Sequence, residues 1–151
     1  MEFLKIKMLI NNEVLVMSKL SKKKESPSID QWLKEAKTDP NALKSGMFLV
    51  HNGTVRETPK VQVRQGIDDG SVVIGMEFSF EAAKVEAVIE ETKNMDGVFH
   101  VRTWLNEGYL NVGDDIMYVL IGGDIRPHVI DALQFLVGKI KNECVVEIEK
   151  N

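Results

Sequence analysis

Residues 116–141 read IMYVLIGGDIRPHVIDALQFLVGKIK, and this stretch decides the fold. Ile116 to Ile121 is a short apolar run with β-branched residues, the composition of a strand. Gly122-Gly123-Asp124 interrupts it, and Pro127 then stands where a proline in the first turn of a helix is tolerated. Beyond it Val129, Ile130, Leu133, Leu136, Val137 and Ile140 recur at helical spacing and predict the most strongly amphipathic helix of the chain, ending near Lys141 or Asn142. Val145 to Ile148 then reads as a closing strand, so strand, tight turn, helix and strand follow one another without a gap.

The rest of the chain extends the same alternation. Ser28, followed by Asp30 and Gln31, predicts a helix start, with Ile29, Trp32, Leu33 and Ala36 on one face before Pro40 closes the segment. Gly46 opens a strand that ends near Arg56, and Glu57 to Gly70, with Pro59, Gly66 and an Asp-Asp-Gly turn, reads as a long loop. Val72 to Phe78 has strand composition. Phe80 to Asn94 switches to helical spacing through Ala82, Val85, Val88 and Ile89. Val98 to Leu105 is a further strand, and Asn106-Glu107-Gly108 and Asn111-Val112-Gly113-Asp114 supply turn residues before Ile116.

Composition bounds what such a chain does. At 151 residues and 44% hydrophobic content it suits one domain with a genuine core. A net charge of -4 argues against coating nucleic acid, which needs a broad excess of Lys and Arg. The one cysteine, Cys144, allows no intrachain disulfide and no multi-cysteine metal site, which points to a reducing compartment. Lys5, Lys7 and Glu13 interrupt the mildly apolar N-terminus before a signal peptide or membrane span could form, so a cytoplasmic protein without membrane attachment is expected. Residues 18–28, SKLSKKKESPS, have the composition of a solvated linker, and residues 1–26 are predicted to form a flexible extension to a single domain over 27–151.

Three stretches, in order and spacing, resemble the large subunit of molybdopterin synthase, the MoaE family. Gly46-Met47-Phe48-Leu49-Val50-His51-Asn52-Gly53-Thr54-Val55-Arg56 is similar to the family's apolar strand closing in Gly-x-Val-Arg. Leu110-Asn111-Val112-Gly113-Asp114-Asp115-Ile116, preceded by Gly108, is similar to its Leu-x-x-Gly-Asp/Glu turn into a strand. The strand Ile116 to Ile121, then Arg126, Asp131-Ala132 and Ile140-Lys141, follow its strand, His-Arg, Glu-Ala and Leu-Lys. Each motif is short and common, and the specificity lies in their joint layout over about residues 28–150.

The resemblance implies an α/β (α+β) hammerhead fold, a mixed or antiparallel sheet with about three helices packed on it. It further implies a homodimer that receives the glycine-ended, thiocarboxylated tail of a small ubiquitin-like, MoaD-like subunit and places two sulfurs on cyclic pyranopterin monophosphate, with no metal ion or dissociable redox cofactor. An anionic phosphate and anionic intermediates of sulfur transfer call for Arg forks and Lys ammonium groups. On the family's pattern Arg56 and Arg126 are expected to bind substrate, Arg126 in the pocket of the neighbouring subunit, and Lys141 to be catalytic, either as a nucleophile or as a stabiliser of charge.

The chain also departs from that pattern. The second active-site lysine falls at Ile148, and the Pro and Trp before it are Val145 and Glu147. The family's His-Arg-Ile-Gly appears as Leu105-Asn106-Glu107-Gly108, and the histidine before Arg126 is Ile125. A diverged dimer that binds a partner or an anion without transferring sulfur is therefore the competing expectation. Lys139 and Lys150 are other cations near the lost lysine. Read without the family, Lys141 is a helix-end cation favoured by the dipole and Arg56 a solvated strand end. His51, His100 and His128 show no ligand spacing, Cys144 reads as a packed thiol, and Trp32 and Trp104 read as core or interface aromatics.

Overall fold

The structure, a computed structural model, describes residues 23–151. Most of the expected N-terminal extension, residues 1–22, lies outside the described residues. Residues 23–26 lie against the domain: Lys24 donates its backbone N–H to Asn106 Oδ1 at 2.6 Å, and the Ser26 hydroxyl donates to Asp115 Oδ2 at 2.6 Å.

Helix α1, Ile29–Thr38, starts where Ser28 caps it, the hydroxyl accepting the Gln31 N–H at 3.3 Å. It buries Trp32 and Ala36, and a 3-10 turn at Pro40–Lys44 follows. Strand β1, Met47–Thr54, pairs antiparallel with β5, Asp115–Gly123, and β5 pairs antiparallel with β3, Val98–Leu105. These form one sheet in the order β1-β5-β3. The other sheet, in the order β4-β2-β6, joins β2, Gly75–Phe80, to β4, Gly108–Asn111, and to β6, Val145–Lys150, both antiparallel. The α+β class with antiparallel pairing is as read from the sequence; the strands divide between two sheets.

Alternation of side chains explains the layering. On one face of the β1-β5-β3 sheet, Phe48, Val50, Leu120, Trp104 and Tyr118 pack against Trp32 and Ala36 of α1. On the other, Val119, Ile121 and Met117 join the main core with Val85, Val88 and Ile89 of α3, Ala82–Lys93, and Val129, Ala132 and Leu136 of α4, Arg126–Lys139. From Val119 to Gly123 β5 is buried through both faces and carries no polar side chain.

Several boundaries differ from the sequence reading. Glu57 to Gly70 is not continuous loop: a helix, α2, spans Lys60–Gln65, with Pro59 before it and Gly66 in the left-handed region (φ 69°) closing it. Pro before and Gly after is the pattern helices favour, and its brevity hid it. β2 starts at Gly75 and runs to Phe80, and Gly108–Asn111 forms β4 where turn residues stood out. The last long helix ends at Lys139, and a π turn at Ile140–Cys144 carries the chain into β6.

Candidate functional site

The π turn matters because Lys141 sits on it. A π turn widens the helix end and re-aims its side chains, and such turns recur at functional sites. The Lys141 ammonium, on a side chain one-third exposed, faces Glu147 of β6, its Nζ 3.5 Å from Oε1. The other carboxylate oxygen, Oε2, accepts a hydrogen bond from the Lys60 ammonium at the start of α2. Glu147 is the buried member, its side chain only 6% exposed. Burial alone would raise its pKa, but the Lys60 hydrogen bond and the charges of Lys141 and Lys60 hold it below the usual carboxylate range.

Strand geometry explains why the acid and not its neighbour is there. Glu147 and Glu149 alternate with Val146 and Ile148, so two faces of β6 carry opposite chemistry. The Glu149 carboxylate accepts the backbone N–H of Lys60 at 3.2 Å and fixes the first turn of α2 on the strand. Ile148, 45% exposed, points the other way and stands opposite Glu77 in the register. The position aligned with the family's second lysine therefore faces away from Lys141.

His51 completes the cluster from β1. Its register partner is Val119, on the α4 face of the sheet, and its Nε2 is buried without a hydrogen-bond partner. Burial first, and then the nearby charge of Lys141, lower its pKa.

The two arginines lie elsewhere. Arg56 is exposed just past β1, its Nε donating to the Thr58 carbonyl at 3.0 Å. It precedes Lys60 on the same connection. Arg126 is exposed at the first residue of α4. At 1.5 Å rise per residue it stands about 20 Å along the helix from Lys141. One chain therefore does not bring Arg126 to Lys141. Neither arginine forms an ion pair with an acid among the described residues.

The other candidates have structural explanations. Lys139 pairs with Glu143 at 3.2 Å and Lys150 with Glu77 at 3.5 Å, so neither reaches the Lys141 cluster. Cys144 is buried, which raises the pKa of its thiol and suits packing better than nucleophilic chemistry. His128 pairs through Nδ1 with Asp124 Oδ1 at 2.7 Å, at the other end of α4 from His51. Among the described residues no group of His, Cys, Asp and Glu is placed to hold a metal ion. Nor is any described helix long and apolar enough to cross a membrane.

Sequence reasoning missed Lys60, Glu147 as an active partner of Lys141, and His51. The alternation of acids and hydrocarbons in Val145-Val146-Glu147-Ile148-Glu149 was the available signal.

Comparison with known proteins now bears on this geometry. The family described as "MoaE protein" matches residues 23–143. The chain belongs to the MoaE family. An uncharacterized protein of Methanocaldococcus jannaschii is 29% identical over 101 residues, 65% of this chain and 79% of that protein. The fold is shared with the molybdopterin biosynthesis MoaE protein of Burkholderia ambifaria, at TM-score 0.64 and 17% identity over 82% of this chain and 77% of that one. It is shared with molybdopterin synthase of Staphylococcus aureus, at TM-score 0.63 and 18% identity over 84% and 88%. A complex of subunits 1 and 2 of molybdopterin-converting factor from Helicobacter pylori matches at TM-score 0.58 and 16% identity, over 82% and 79%. Identities this low show a shared fold, and the position of Lys141 between α4 and β6 is read from this chain's own geometry.

Proposed function

We propose that this MoaE family member works in molybdenum cofactor biosynthesis as a molybdopterin synthase large-subunit-like protein. In this reading it takes sulfur from the thiocarboxylated tail of a small ubiquitin-like, MoaD-like subunit and delivers it to cyclic pyranopterin monophosphate. The observation that carries it is the family match over residues 23–143 together with Lys141, at the family's lysine position, in a partly open charged cluster. The Helicobacter pylori neighbour, a complex of two subunits, supports a small-subunit partner.

Lys141 is the catalytic residue of the proposal, its ammonium stabilising the negative charge that develops as the thiocarboxylate is attacked. Arg56 and Arg126 bind the substrate phosphate, whose oxygens match the fork of a guanidinium. Because about 20 Å of helix separates Arg126 from Lys141 in one chain, the arginine serves the site of the second copy in a homodimer. The reaction calls on no resident metal or redox cofactor, and the protein acts in the cytoplasm.

A second reading, a dimeric module that binds partner or anion without sulfur transfer, draws on one observation: Ile148 faces away from Lys141, and the side chain that faces it is the acid Glu147. Reconstitution with a thiocarboxylated small subunit and cyclic pyranopterin monophosphate decides between them. The enzyme reading expects dithiolene product that falls on the order of 100-fold in a folded Lys141→Ala variant. Tight partner binding with no product from the unaltered protein overturns it and leaves the module.

A further inference from the structure

We infer that Lys60 is the second cation of this anion site, standing in for the lysine absent at position 148, with Glu147 holding its ammonium beside that of Lys141. The inference rests on the sulfur-transfer reading and adds to it a binding residue from a part of the chain that the family motifs do not touch.

The two acids of β6 that face inward both engage Lys60. Glu149 accepts its backbone N–H at 3.2 Å, which fixes where α2 begins, and Glu147 accepts its ammonium, which fixes where the side chain ends. A long, flexible lysine is thereby held at both ends. Glu147 receives Lys60 on Oε2 and has Lys141 3.5 Å from Oε1, so a single buried carboxylate stands between two ammonium groups and offsets their mutual repulsion. The three charges sum to one positive charge.

Exposure shows which side is open. Glu147 is 6% exposed, whereas the Lys60 and Lys141 side chains are each 33% exposed. An ammonium has three N–H donors, and the carboxylate takes up at most part of each set. The donors that Glu147 leaves unused are what a phosphate or thiocarboxylate oxygen would bridge in this assignment. A lysine at 148 would emerge on the opposite face of β6, next to Glu77, so the inner face has to draw its second cation from another element. Helix α2 supplies it.

The test is binding of cyclic pyranopterin monophosphate to the intact protein by titration calorimetry without a sulfur donor, alongside sulfur transfer in the reconstituted system. Lys60→Ala is expected to weaken binding about tenfold or more, and Lys60→Arg to retain most of it. Lys60→Ala keeps the backbone N–H to Glu149, and the double variant K60A/E147Q removes the buried acid together with its partner, so neither leaves α2 unanchored. Weakened binding in both, with unchanged melting of the double variant, upholds the assignment. Unaltered binding in both overturns it, and product formation by the unaltered protein then leaves the sulfur-transfer reading intact. Lys60-dependent binding without any product overturns sulfur transfer and keeps Lys60 as an anion-binding residue. No binding by the unaltered protein overturns both.

Discussion

The carboxamide of Asn106, buried in the connection between β3 and β4, accepts the backbone N–H of Lys24 at 2.6 Å and ties the N-terminal approach to the domain. The same side chain accepts the Glu107 N–H at 2.9 Å and donates to the Asp115 carbonyl at 2.8 Å. Where the family pattern has an arginine, this chain has a short amide that makes three hydrogen bonds inside the protein. Asn106→Ala leaves these backbone groups without that partner, at an expected cost of about 1–3 kcal/mol. Thermal denaturation should show a loss of several degrees, and limited proteolysis should cut near residues 23–28 sooner than in the parent. A melting curve that does not move refutes the role given to Asn106.

Much of the fold was legible because local and global preferences agree there. Ser28 caps a helix with its apolar face in register, and the apolar run of Ile116 to Ile121 lies in the central strand of its sheet. What escaped was decided by distant partners. Strand β4 has four residues, too few for a period, and exists because β2 pairs with it. Helix α2 has only six residues, too few to show a helical period, and its first turn is held by acids of β6. For the site, Lys141 was legible through the family pattern, but the Lys60 to Glu147 contact joins positions 87 residues apart. No spacing rule reaches that far.

Gly97 sits between α3 and β3 at φ 75°, a conformation that side chains rarely adopt. A Cβ there would also overlap the Asp124 carboxylate and the His128 ring, which form their own pair at 2.7 Å. Gly97→Ala is expected to destabilise the protein by about 1–3 kcal/mol from backbone strain and crowding together. Chemical denaturation at neutral pH measures this, and a difference within experimental error counts against the crowded turn.

His51 and His100 set the acid side of the stability profile. Burial is the first cause lowering the pKa of each below the ordinary 6.5, with Lys141 adding to it at His51. At His100 the charges of Arg102 and Lys93 also lower it, while Asp39 opposes. The unfolded chain thus binds protons that the folded one resists, so stability is full above 6.5 and declines as pH falls from there toward the folded values. Glu147, depressed below 4.5, contributes its own loss only below that pH. Melting temperature should therefore drop between pH 7 and pH 5, and a His51→Asn, His100→Asn double variant should drop less across the same interval. Equal slopes for the two proteins would assign the decline to other groups.

Position 148 separates a lost lysine from a relocated one. Ile148 stands opposite Glu77 on the face of β6 that carries Val146, both hydrocarbons half exposed, while Glu147 faces Lys141. Because alternate residues of a strand project to opposite faces, Ile148→Lys places its ammonium beside Glu77 and Lys150, not beside Lys141. The expected outcome is a stable protein, within about 0.5 kcal/mol of the parent as for most exposed substitutions, whose affinity for cyclic pyranopterin monophosphate is unchanged. A clear gain in affinity or in sulfur transfer would mean that the outer face of β6 forms part of the site, and would move the second cation back to the strand.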